Sequence, residues 1–108
     1  MSPSITDRFV SIVGSYEIDP QDAAAFAAIA AQSVANTVNK PGCLYYIASQ
    51  DVTQPNVFHL TEGWASQAAL DEHVASLAFK AMLDAAFKLR IVKRAIYLSE
   101  SSGRKLMT

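Results

Sequence analysis

The stretch Phe58-His-Leu-Thr-Glu-Gly-Trp-Ala-Ser-Gln-Ala-Ala-Leu-Asp-Glu-His73 holds the chain's one Trp and both of its His residues, with Glu62 between the two histidines. These are the side chains with chemistry to offer. An imidazole with an ordinary pKa near ~6.5 can exchange a proton at neutral pH, which makes His73 the leading candidate for a catalytic group. A carboxylate among apolar neighbours is driven toward its protonated form unless a donor meets it, and an indole presents a flat face on which a planar ligand can stack.

Their spacing decides which of them can meet. If Val57 to Ala65 is a strand, Phe58, Leu60, Glu62 and Trp64 share one face, and Val57, His59, Thr61 and Gly63 share the other. The first set is bulkier and more apolar, so it belongs under the helices, with Glu62 as an acid inside an apolar layer. His59 then faces away from Glu62, which rules out a His59-x-x-Glu62 metal pair and makes His59 a surface or interface residue. After Ser66, the residues Leu70, His73, Val74 and Leu77 follow one helical stripe, which turns His73 inward toward the face that carries Trp64.

Each candidate also has a plainer reading. Glu62 could be a structural carboxylate bonded to a nearby donor, Trp64 a filler of the core, and His73 a satisfied core histidine. Leu70 and Phe79, turned inward by helical spacing, are candidate substrate contacts; Tyr45 and Tyr46 on the second strand point to opposite faces, and one of them could place a phenol in the same space. Arg90 and Arg94 share a parity and could pair an anionic ligand or form rim salt bridges. Cys43 has no cationic neighbour and no helix start beside it, so it reads as a small buried apolar side chain.

The elements that must position these groups follow in order. Arg8 to Ile18 is rich in β-branched and aromatic residues and forms strand one, with Val10, Ile12, Tyr16 and Ile18 on one face. Asp19-Pro20-Gln21-Asp22 carries helix start signals, and Ala23, Phe26, Ala27, Ala30, Val34 and Val38 form the stripe of the helix that follows. Asn39-Lys40-Pro41-Gly42 ends it. Cys43 to Gln50 is strand two, with Cys43, Tyr45 and Ile47 expected on one face and Leu44, Tyr46 and Ala48 on the other. Asp51 to Asn56 turns the chain into strand three. Ser66 and Ser76 cap two helical pieces, the second with Phe79, Leu83, Ala86 and Phe87 inward, and Arg90 to Ser99 is strand four. The order β-α-β-β-α-β predicts an α+β, ferredoxin-like fold with a four-stranded antiparallel sheet, helices on one face and an apolar second face suited to a homodimer.

The 108 residues fit one domain spanning 1–108, with a polar tail over 101–108. A net charge of -1 gives no footprint for nucleic acid or an anionic membrane. A single cysteine excludes an intrachain disulfide and a cysteine zinc site. Met1 to Arg8 lacks the pattern of a secretory signal, no apolar run approaches a membrane span, and the expected setting is cytoplasmic.

Three pieces of the chain, Pro41-Gly42-Cys43-Leu44-x-Tyr46, Phe58-x-Leu60-x-Glu62-x-Trp64 and Ala69-Leu70-x-x-His73 with Ser76-x-x-Phe79, together resemble the antibiotic biosynthesis monooxygenase family of dimeric α+β barrels. The resemblance covers nearly the whole chain. It implies a cavity between sheet and helices in each subunit, and oxygenation of a quinol or polyphenol-like substrate by dioxygen with no metal or flavin cofactor. It further implies that His73 is the base or hydrogen-bond donor, Trp64 the stacking wall, Tyr46 a second polar contact and Glu62 the group that orients them. Two departures narrow the implication. Ala78 stands where the family often carries a second His, and Leu83 where the haem-degrading branch places its axial ligand, which argues against haem degradation. A small-molecule isomerase of the same fold and a non-catalytic ligand-binding dimer are the competing expectations.

Overall fold

The computed structural model describes residues 8–108. The stretch before Arg8, in which no secretory signal was expected, lies outside the described residues. The elements run β1 (Phe9–Ile18), a 3-10 turn (Pro20–Asp22), α1 (Ala23–Thr37), β2 (Cys43–Gln50), β3 (Val57–Trp64), α2 (Gln67–Val74), α3 (Leu77–Phe87) and β4 (Ile91–Ser101). The strands form one sheet in the order β2-β3-β1-β4, and each neighbouring pair is antiparallel. This is the expected α+β, ferredoxin-like fold.

Local chemistry sets the element ends. The Asp19 carboxylate accepts from the Gln21 amide at 2.9 Å and Pro20 opens the turn that leads into α1. Gly42 adopts φ +80°, a conformation that a side chain would strain, and a Cβ there would press on Ala69 of α2. Ser66 and Ser76 accept from the amides of Ala69 and Phe79, at 3.1 and 3.2 Å, and so start two separate helices. The break between them corrects one expectation. A single stripe through Leu70, His73, Val74 and Leu77 does not survive it: Leu70 and His73 are buried, whereas Val74 and Leu77 are exposed.

A second correction concerns β2. The register with β3 shifts between Cys43, which pairs with Trp64, and Tyr45, which pairs with Gly63, so Leu44 is an extra residue in a bulge. Cys43 is thereby moved off the face of Tyr45 and Ile47 and packs against the core cluster that contains Tyr46 and Trp64. Gly63 is required by the same register, because a Cβ there would collide with the Tyr45 ring.

Two core clusters lie between sheet and helices. One contains Ile18, Phe26, Phe58 and Ala86, with the Phe26 and Phe58 rings 4.9 Å apart. The other contains Val10, Ile12, Tyr46, Trp64 and Leu70. On the opposite side of the sheet the registers align Ile47, Thr61, Val13 and Tyr97 in a row across all four strands, and Ile47, Val13 and Tyr97 are exposed. Among the described residues no helix is long and apolar enough to cross a membrane.

Candidate active site

A cavity of about 600 Å³ opens between the inner sheet face and the helices α2 and α3. Glu62, His73, Leu70, Phe79 and Tyr46 all line it, so these five candidates are brought to one space. Arg94, Ile96 and Leu98 of β4 form the opposite side, where the helices leave the strand uncovered.

His73 is 4% exposed and held on three sides. Its ring stacks on Trp64 with centroids 4.8 Å apart and planes 23° from parallel, while Tyr46 and Phe79 meet it edge-on at 5.9 and 4.8 Å. Nδ1 lies 2.8 Å from Lys40 Nζ, and Nε2 has no hydrogen-bond partner among the described residues. Burial, reinforced by the Lys40 charge, lowers the His73 pKa from 6.5 to about 4. The expectation of an imidazole that titrates near neutrality is therefore corrected: His73 is neutral at pH 7.

Glu62 is likewise buried, and its Oε1 accepts the indole N–H of Trp64 at 2.8 Å. Burial raises its carboxyl above the ordinary range, and the indole bond offsets that only in part. Alternation along β3 accounts for the contact, since residues two apart share a face. Trp64 has no exposed surface and is not on the cavity lining. Where a ligand-stacking wall was expected, the indole stands behind the site and joins its two ionisable groups, bonded to Glu62 through its edge and stacked on His73 through its face.

The Tyr46 hydroxyl lies 3.0 Å from Ser33 Oγ of α1, so the ring lines the cavity while the phenol is engaged elsewhere. Burial pushes its pKa up to about 12, which keeps it protonated. The two arginines part company. Arg90 bonds Asp22 at 3.0 Å and Gln21 at 3.1 Å, tethering the start of β4 to the 3-10 turn. Arg94 instead reaches the cavity, 4.9 Å over the Phe87 ring and paired across the sheet with Tyr16. His59 bonds Asp51 at 2.8 Å on the far side of β3 from Glu62. Burial raises the Cys43 thiol, with Glu62 adding to the effect, which leaves it un-ionised. No cluster of three or more His, Cys, Asp or Glu among the described residues could hold a metal ion.

Lys40 is the site residue that sequence reasoning missed. Its one signal was position: a lone cation in the tight turn Asn39-Lys40-Pro41-Gly42, 33 residues from the histidine it meets.

Fold and site together define a small ferredoxin-like protein whose apolar cavity holds one buried carboxylate and one buried imidazole. The chain belongs to the antibiotic biosynthesis monooxygenase family, whose model matches residues 9–85. Two of the solved structures that are similar over most of the chain illustrate the likeness. One is a Deinococcus radiodurans protein provisionally assigned as an antibiotic biosynthesis monooxygenase, at 25% identity and TM-score 0.85, covering 92% of this chain and 98% of that one. The other is a Caulobacter crescentus protein with the same provisional assignment, at 26% identity and TM-score 0.78, covering 91% and 93%. An uncharacterized protein of Synechocystis sp. is 30% identical over 67 residues, which is 62% of this chain and 46% of that relative. The chain thus matches less than half the length of that protein.

Proposed function

We propose that this protein is a cofactor-independent monooxygenase of a small quinol or polyphenol-like substrate. The observation that carries the reading is the placement of Glu62 and His73 on the lining of one apolar cavity of about 600 Å³, a volume that suits a fused or substituted aromatic ring. A phenol seated there loses its proton to Glu62, whose raised pKa makes it a competent base. His73 hydrogen-bonds the phenolate oxygen. The electron-rich ring then reduces dioxygen, a C–O bond forms at a ring C–H carbon, and the resulting ring hydroperoxide loses water to leave a quinone. One oxygen atom enters the product and the other leaves as water, with the substrate supplying all four electrons. The protein's part is to take the proton, hold the ring and exclude water.

The exposed row of Ile47, Val13 and Tyr97 favours a homodimer that buries this face against its copy, and the lone thiol suits a reducing, cytoplasmic setting. Light scattering should give twice the monomer mass, and Val13→Asp should lower it to that of one chain.

Oxygen uptake with a panel of hydroquinones and naphthols under ¹⁸O₂ tests the chemistry. One labelled atom in the quinone is expected. Absence of uptake across the panel defeats the reading, and product formed without oxygen would assign Glu62 and His73 to isomerisation instead.

A further inference from the structure

Lys40 joins three segments at one point. Its Nζ lies 2.8 Å from His73 Nδ1 and 3.0 Å from Ser76 Oγ, linking the α1–β2 turn to the end of α2 and the cap of α3. Hydrogen counting fixes the direction of each bond. The Ser76 hydroxyl donates its one proton to the His73 carbonyl at 2.7 Å and accepts from the Phe79 amide at 3.2 Å, so it can only accept from Lys40. A lysine ammonium has three donors and no acceptor, so Nδ1 must accept as well. The ring proton of the neutral imidazole then sits on Nε2, a buried atom without a partner among the described residues.

We infer that Lys40 is a positioning residue, which by occupying Nδ1 holds His73 as the Nε2–H tautomer and makes it a hydrogen-bond donor to a ligand oxygen, not a base. The inference deepens the function proposed above and rests on it for the identity of that ligand, a phenolate or its dienone carbonyl. It also divides the labour of the site, because an imidazole that already carries its proton on Nε2 cannot accept another there, so proton abstraction falls to Glu62. A buried donor gains from an acceptor, and the cavity that His73 lines is where a ligand oxygen can supply one. Lys40 acts from outside: it lines a separate groove with Pro41, Glu72 and Ser76, and His73 lies between that groove and the cavity.

The titratable groups around His73 are Lys40 from the turn, Glu62 of β3 across Trp64, Tyr46 of β2, and Asp71 and Glu72 of its own helix. The test is ¹⁵N NMR of the His73 ring in the full-length protein, which distinguishes a protonated from a bare ring nitrogen. In the wild type, Nε2 should carry the proton and Nδ1 should be bare. Lys40→Met should shift the tautomer ratio toward Nδ1–H by roughly tenfold or more, the scale of a charge-assisted bond. It should also raise the pH at which the ring protonates. Lys40→Arg, which keeps donor and charge, should restore both. A proton on Nδ1 in the wild type overturns the inference even if no variant folds, and so does a Lys40→Met ring unchanged in tautomer and titration. Because the readout needs no turnover, failure of every phenol to consume oxygen would defeat the proposed function and leave the tautomer assignment standing.

Discussion

The buried residues of the two core clusters share strands β1 and β3 but draw on different helices, α2 in one and α1 with α3 in the other, and the clusters do different things. The buried residues Ile18, Phe26, Phe58 and Ala86 are all apolar, and the Phe26 ring packs against those of Tyr16 and Phe58. The cluster around Trp64 is laced with polar groups: the indole bonds Glu62, the Tyr46 phenol meets Ser33, and His73 is clamped against Trp64. Burying such groups works against stability. The difference teaches that one end of the sandwich holds the fold together while the other buries an acid whose pKa is raised and an imidazole that is neutral at pH 7.

Substitutions in the two clusters should therefore separate activity from stability. The largest effect is expected for Glu62→Gln, which removes the base: kcat/KM should fall by about 10²- to 10⁴-fold in an oxygen-uptake assay. Urea unfolding of the same variant should show no loss of stability, because a neutral amide replaces a buried carboxyl. Phe58→Ala should do the reverse. It empties the apolar cluster at a cost of about 3–5 kcal/mol in unfolding free energy, while turnover below its melting temperature is retained.

The pH dependence should bear the mark of the polar cluster. His73 has a folded pKa of about 4 against an ordinary 6.5, so below pH 6.5 the unfolded chain takes up a proton that the native protein refuses. Its contribution to stability is constant above 6.5, falls as pH drops from there to about 4, and is level again below. His73→Gln should flatten that slope in urea titrations at pH 7 and pH 5. Glu62 works in the other direction. Its raised pKa means that stability is lost as pH rises from its ordinary 4.5 through the folded value, and over that rise kcat/KM should climb as the base ionises. The smallest effect is expected for His59→Ala, at the exposed pair with Asp51, within about 0.5 kcal/mol by chemical denaturation.

Much of this was legible in the order of residues. Alternation in Phe58 to Trp64 placed Glu62 on the inner face and His59 on the outer, and both β3 faces follow it. Caps at Ser66 and Ser76 marked two helices, and Leu70 and His73 turn inward as their spacing requires. Period arguments failed where the period itself is interrupted. The bulge at Leu44 reverses the face of Cys43, and the break at Ala75 and Ser76 ends the stripe before Leu77. Contacts between distant segments were not legible at all. Nothing in the local pattern of Lys40 says that its ammonium meets His73, and nothing in strand parity says that Arg94 reaches the cavity while Arg90 is bound by Asp22. Trp64 could be read as core packing or as a ligand wall, and packing sets its face against His73.

The most direct measurement is a crystal structure with a slowly oxidised hydroquinone, grown without oxygen. The phenolic oxygen should lie within hydrogen-bond distance of both His73 Nε2 and a Glu62 carboxylate oxygen, with the ring against Leu70 and Phe79. A ring bound outside this cavity, or one whose oxygen meets neither group, would contradict the account.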